Sequence, residues 1–273
     1  MASAGESKKG EPAGSEVSRD APDREEARLL ALEVDAIHGL VPETGAPPAV
    51  RDATVLAVWA WSPRARLLAL GPGVVPPARP DGDPAGHADD EPYAPDRPPR
   101  TLERLAVELG GQRASVEGGP SWLFPARLAT PAVGPLPVLV PTTAGRAAAR
   151  DLIRPDNWQP GEWTGLIAGD LGEWAMAVRG REPVSICHTP AAGDLAAEAG
   201  IWTRPDHRGR GLARVCVAAW AERVRPTKDV LFYSTTSTNH ASKAVARGLG
   251  LTPLGAIWTV RREATRPAPP QEG

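Results

Sequence analysis

Apolar positions along the chain fall into short runs broken by proline, glycine and charge, and their spacing predicts the elements. Between Glu25 and His38, Leu29, Leu30, Leu32, Val34 and Ile37 recur at partly helical spacing, which predicts one amphipathic helix. Residues 54–61 and 65–71 are apolar runs of strand length, rich in β-branched and aromatic residues and separated by Ser62-Pro63, which predicts a hairpin. A helix follows over 102–109, apolar segments stand at 121–125 and 136–141, and Thr142 or Thr143 caps a helical run through Ile153. From Glu173 the pattern sharpens into two strands joined at Gly180 and a third strand over 196–203. A turn leads from there into a helix over 212–225, in which Leu212, Val215, Ala219 and Trp220 share a face. A strand over 229–235, a helix from Asn239 stopped at Gly250 and a final strand over 251–260 complete the order. There is no internal repeat and no heptad pattern.

The gaps between these runs divide the chain. Residues 1–24 are polar and charged with almost no bulky apolar side chain, so they bury too little to offset the entropy of ordering and are expected as a disordered tail. Residues 79–99 are dense in proline, aspartate and glycine and read as a flexible linker or long surface loop, the best boundary in the chain. The expected layout is a helix plus β-hairpin segment over 25–78, that linker, a main domain over 100–262 and a second disordered tail over 263–273.

Composition narrows the partners. A formal net charge of −2 gives no electrostatic reason to expect nucleic acid or an anionic membrane. Cys187 and Cys216 are the only cysteines, too few for a disulfide framework and without metal-ligand spacing, and the five histidines have none either. No apolar stretch has the length of a membrane span, and the first residues lack the apolar run of a signal peptide, so a cytoplasmic protein is expected. The bias toward arginine, alanine and glycine points to a GC-rich bacterial coding composition, actinobacterial in kind. Cys187 and His188 are neighbours on a strand and face opposite ways, which excludes a cysteine-histidine nucleophile pair.

Chemistry concentrates in Thr203-Arg204-Pro205-Asp206-His207-Arg208-Gly209-Arg210-Gly211-Leu212-Ala213, set between a strand and a helix. Gly209 and Gly211 permit unusual dihedrals and close backbone approach, so successive N–H groups can converge on a phosphate at the positive end of the following helix, with Arg208 and Arg210 adding charge. The segment resembles the pyrophosphate loop of the GNAT superfamily of acetyl-CoA-dependent N-acyltransferases, with Arg208, Gly211 and Ala213 at the motif positions. Thr203-Arg204-Pro205 resembles the Val-x-Pro that ends the family's fourth strand, with the valine replaced. Downstream, the run from Asn239 to Leu251 resembles the family's Asn-led helix ending in Leu-Gly-Phe. Resemblance covers about residues 184–260.

The resemblance implies an α/β (α+β) fold with a mixed, mostly antiparallel sheet flanked by helices, in which strands four and five splay apart, and here an extra N-terminal α/β segment. It implies acetyl-CoA as co-substrate, no metal, and pantetheine bonded to the backbone around Ile201, Trp202 and Thr203. The loop Arg208, Gly209, Arg210, Gly211, Leu212 and Ala213 would hold the phosphates, and Asn239 and Ser242 would contact the coenzyme. Asn239 also reads as a helix cap, and both roles can hold together.

Two readings stand for Glu198, the one carboxylate in the 196–203 strand: the base that takes the amine proton, or a structural or solvated carboxylate. Alternation groups it with Gly200 and Trp202, opposite Ile201 and Thr203, unless a bulge intervenes. The family's tyrosine that protonates the departing thiolate falls at Ala246. Tyr233 on the preceding strand is either its substitute or a core residue, and water is a further alternative. The nine tryptophans read as core, with Trp202 the exception beside the expected acyl group. The function implied is acyl transfer to an unidentified amine. The alternative is a GNAT-fold protein that holds acyl-CoA or a partner without turnover, and residues 25–120 could recruit a protein partner.

Overall fold

The structure, a computed structural model, describes residues 20–43, 47–75, 91–128, 134 and 136–262. Residues 1–19, most of the expected linker and the C-terminal segment from 263 lie outside the described residues.

The first helix, α1 (Asp20–His38), begins inside the segment read as a tail. Asp23, Glu25 and Glu26 lie in its opening turns, where negative charge complements the helix dipole. Two short strands follow, β1 (Leu40–Val41) and β2 (Ala49–Val50), and then the expected hairpin of β3 (Val55–Trp61) and β4 (Arg66–Leu70). Helix α2 (Arg100–Gly110) leads into β5 (Ala114–Leu123), a longer strand than the apolar run at 121–125 predicts. After β6 (Val138–Leu139), Thr142 caps α3 (Thr143–Ala149) by accepting the Gly145 N–H at 3.0 Å. The helical run predicted to reach Ile153 stops there, because the helix ends at Arg150 and the chain turns. A second helix, α4 (Pro160–Ala168), opens on a capping box between Gln159 and Glu162 and ends at the left-handed Gly169.

Strands β7 (Trp174–Arg179) and β8 (Glu182–Ala192) form the hairpin at Gly180, and β9 (Ala196–Thr203) follows. The order closes with α5 (Leu212–Val224), β10 (Val230–Ser234), α6 (His240–Gly248) and β11 (Thr252–Arg262).

All eleven strands join one sheet, ordered β1-β2-β4-β3-β11-β5-β10-β9-β8-β7-β6. Two helix-strand units meet at its centre: β5, arriving from α2, and β11, arriving from α6, pair antiparallel from Thr252↔Leu123 to Arg262↔Ala114. The hairpin of residues 55–70 extends this sheet, since β3 pairs with β11 from Ala256↔Trp61 onward. Every residue of β3 is buried, because α1 covers one face of it and α2 the other. Toward the other edge the α1 face continues under α4, where Trp158, Trp163, Trp174, Met176 and Ile186 pack. The α2 face continues under α5 and α6, with Cys187, Ala197, Ala199, Cys216, Trp220 and Tyr233 in its core.

One break in this sheet positions everything that follows. Parallel pairing of β9 with β10 lasts three rungs, Val230↔Ala196, Leu231↔Ala197 and Phe232↔Glu198. Beyond Phe232, β10 continues only beside β5, with Tyr233↔Trp122 and Ser234↔Ser121, while β9 runs on beside β8 to Thr203. The two strands form a fork with Glu198 in its crotch.

Among the described residues, no helix is long and apolar enough to cross a membrane.

Candidate active site

The loop after β9 is a short 3-10 turn, Pro205–His207, followed by two left-handed glycines, Gly209 (φ 74°) and Gly211 (φ 78°), the second of which is the N-cap of α5. An added Cβ at Gly209 would meet nothing within 4 Å, so glycine is required for its dihedral and not for room. Left-handed residues next to a helix start turn successive N–H groups to one side and make a concave donor nest. The arginines brace this loop: Arg208 Nε donates to the Thr203 carbonyl (3.1 Å) and Arg210 to the Asp206 carbonyl (3.1 Å). Arg204 is held by Glu182 and Asp206, and its guanidinium, followed by His207, holds the Asp206 carboxyl well below the usual range.

This loop walls one end of a groove of about 560 Å³ that runs along the open arm of β9 to α6. All the sequence-predicted coenzyme contacts lie on it: Ile201, Trp202, Thr203, the 208–213 loop, Asn239 and Ser242. Arg214, Ala241, Ala244 and Val245 also line it, residues the sequence reading did not single out. The Arg204 N–H bonds the Val184 carbonyl on the β8 side, so strand alternation turns the N–H groups of Thr203 and Ile201 into the fork. Asn239 caps α6 through its side-chain oxygen, accepting the Ser242 N–H at 3.0 Å, which leaves its amide nitrogen for the groove.

Glu198 shares its sheet face with Gly200 and the Trp202 side chain, opposite Ala197, Ala199 and Ile201, as alternation predicts. The local bulge is in β8, between His188 and Ala191, so β9 keeps its regular facing. Oε1 of Glu198 accepts the main-chain N–H of Ser234 at 2.6 Å and its hydroxyl at 2.8 Å, which satisfies an N–H on the strand that has left its neighbour. Burial pushes the carboxyl up to about 7, against the opposing pull of the two Ser234 hydrogen bonds. A solvated-surface reading of Glu198 does not hold, since the residue is 6% exposed.

Tyr233 is fully buried on the groove face and does not line the groove. Its hydroxyl sits 2.6 Å from Ser242 Oγ, which does line it. Burial holds the phenol well above its ordinary range. Ala246 is fully buried in the core between α5 and β10. Cys187 is likewise sealed, and burial raises its thiol far above the ordinary range.

Residues 124–252 match the family described as an acetyltransferase (GNAT) domain. Residues 124–252 form a GNAT-superfamily domain. The matched span runs from just after β5 to the first residue of β11, so it contains the loop, the groove and the fork. Comparison with curated proteins gives no match.

Solved structures similar to this chain include a GCN5-related N-acetyltransferase-like protein of Streptococcus suis 89/1591, 16% identical, covering 60% of this chain and 68% of that one with a TM-score of 0.42. An acetyltransferase of the GNAT family from Novosphingobium aromaticivorans DSM 12444 is 16% identical over 83% of this chain and 92% of that one, TM-score 0.43. A tandem GNAT protein of the clavulanic acid biosynthesis pathway is 17% identical over 92% of this chain and 97% of that one, TM-score 0.45.

Within the GNAT domain the sequence reading missed α4 and, more consequentially, the groups that reach Glu198 from outside the motif. Ser234 carried no signal beyond its place at the end of a strand. Ser121 and Glu33 belong to β5 and α1, both outside the matched span.

Proposed function

We propose that this GNAT domain transfers an acetyl group from acetyl-CoA to an amine by direct attack on the thioester. The observation that carries the reading is the fork between β9 and β10. On its α5 and α6 face lies the groove that ends at the glycine loop, and in its crotch, toward α1, lies a buried carboxyl of raised pKa. In this reading the pyrophosphate rests on the N–H groups around Gly209 and Gly211, with positive charge from the adjacent arginines. Pantetheine lies along β9 and continues the strand's unmet hydrogen bonding, and the thioester carbonyl takes a main-chain N–H in the fork as its oxyanion contact.

The neutral amine approaches from the opposite face, beside Trp202. Its nitrogen forms the new bond to the carbonyl carbon, the carbon–sulfur bond breaks as the tetrahedral intermediate collapses, and the amine proton passes to Glu198, directly or by way of the Ser234 hydroxyl. The departing thiolate takes a proton relayed through the Ser242 hydroxyl, which is refilled from the Tyr233 phenol behind it, or takes one from water in the groove.

The test is release of free coenzyme A thiol from acetyl-CoA across a panel of small amines, peptide N-termini and lysine peptides. Repeated turnover on at least one acceptor supports the reading. Coenzyme binding without thiol release on any of them supports the alternative, a GNAT-fold acyl-CoA-binding protein, for which the replacement of the family's tyrosine by the buried Ala246 speaks.

A further inference from the structure

Among the described residues, two carboxyl oxygens deep in the fold have no hydrogen-bond partner, Oε1 of Glu33 and Oε2 of Glu198. Glu33 comes from α1 and Glu198 from β9, yet adjacent serines bring them to one place. Ser121 on β5 and Ser234 on β10 are register partners, which sets them about 5 Å apart. The Ser121 hydroxyl donates to Glu33 Oε2 at 3.0 Å and the Ser234 hydroxyl to Glu198 Oε1 at 2.8 Å, all on the sheet face that α1 covers. Glu33 is completely buried.

A buried acceptor without a donor costs about 1–3 kcal/mol, and two buried anions side by side cost far more. A single proton held between the two carboxyls would answer both at once, by making one orphan oxygen the donor to the other.

We propose that Glu33 and Glu198 share one proton at neutral pH between their two unpartnered oxygens, and that Glu33 is thereby the positioning residue that holds Glu198 ionised and oriented to accept a proton. The second part rests on the reading of Glu198 as the base. Protonated Glu33 donates to Glu198, favours its charged form, and leaves the pair with one empty proton site for the amine.

The surroundings agree. Burial, and then the Glu198 charge, hold the Glu33 carboxyl well above the ordinary glutamate range. Among the described residues, no positive charge acts on either carboxyl. On α1, Glu26 is engaged by Ser62 and Arg64. Tyr93, which feels both Glu26 and Glu33, is pushed up to about 12, chiefly by burial, and Asp96 next to it pairs with Lys243 of α6. Cys187 and Tyr233 feel Glu198 through the sheet and are held neutral by burial, and burial lowers the pKa of His188 on β8.

The arrangement makes the N-terminal helix, which lies outside the matched family span, part of the active site.

The experiment is an NMR titration of the full chain labelled with carbon-13 at the glutamate carboxyls, in wild type, Glu33→Gln and Glu198→Gln. Sharing predicts two linked steps in wild type, and in Glu198→Gln a Glu33 step moved down by at least about one pH unit. An unmoved Glu33 step overturns the shared proton.

The positioning role is read from the acid limb of the pH profile of kcat/KM. Glu33→Leu removes the donor and moves the limb upward by about one unit, whereas Glu33→Gln, whose amide donates the same bond, restores it. A Glu33→Leu enzyme that is slower with an unmoved limb overturns that role. A wild-type rate in Glu198→Gln sinks the base reading and the positioning role with it, while the linked titration is decided by the NMR alone.

Discussion

The carboxyl of Glu198 closes the crotch of the fork by accepting both the main-chain N–H and the hydroxyl of Ser234 on the neighbouring strand. The bond meets a donor that strand separation would orphan, and among the described residues the second oxygen has no hydrogen-bond partner. Glutamine can accept the same bonds, so Glu198→Gln should fold normally and bind acetyl-CoA with unchanged affinity. Turnover should fall by about 10²–10⁴-fold, the usual contribution of a positioned general base. Ser234→Ala removes a bond to the ionised form, so the acid limb of its rate profile should move up. Stopped thiol-release assays across pH measure both, and an unaltered rate in the glutamine variant removes Glu198 from the mechanism.

Stability should fall as pH rises through neutrality by an amount these two carboxyls control. Both Glu33 and Glu198 titrate above the ordinary glutamate range in the fold, so over that window the folded state keeps protons the unfolded chain has released. Linkage then gives a contribution that is fully present below the unfolded pKa and lost as pH passes through about 7 and above. Denaturant unfolding of wild type and of the Glu33→Gln/Glu198→Gln double variant should differ increasingly in the variant's favour toward high pH, by on the order of a few kcal/mol. Asp52, held down at about 2, acts only in strong acid and leaves this window alone. A difference that shrinks with rising pH contradicts the assignment.

Replacing Gly211 by tryptophan should abolish coenzyme binding. The residue needs φ 78° and caps α5, and forcing an L side chain there costs about 1–2 kcal/mol before the indole enters the groove. Circular dichroism should show the fold retained, and undiminished acetyl-CoA affinity would mean that the phosphates bind elsewhere.

Tyr233 reaches the groove only through Ser242, so Tyr233→Phe should cost about 1 kcal/mol in thermal unfolding, the loss of one buried hydrogen bond. Turnover should drop less than tenfold and Ser242→Ala should drop it further. A loss near a hundredfold in the phenylalanine variant would make the phenol the direct acid.

The C-terminal half of this architecture was legible because its signals are local. Two hairpin strands, a glycine-arginine loop before a helix, and an Asn-capped helix each declare themselves within a dozen residues or so, and all the predicted coenzyme contacts line one groove. The strand facing of Glu198 followed from alternation alone. What failed was non-local or disguised. The residues before the apolar run at 121–125, Gly118-Gly119-Pro120 among them, carry no strand signal, yet they lie within β5, where a Cβ on Gly118 would strike the Ile257 carbonyl at 2.1 Å as β11 presses in. Helix α4 announced itself only by Gln159-Pro160 and Glu162, amid residues with little apolar periodicity. Glu33 carries no signal of its own on the amphipathic helix, and only the sheet order, which carries α1 over β9, puts it on the sheet face that Glu198 shares.

The central claim is that the groove between β9, the glycine loop and α6 holds acetyl-CoA, and calorimetric titration of the purified chain with acetyl-CoA tests it most directly. The account predicts saturable binding at one site per chain. Absence of any saturable heat, with the protein folded, would contradict the assignment of the Arg208 to Ala213 loop and the mechanism built on it.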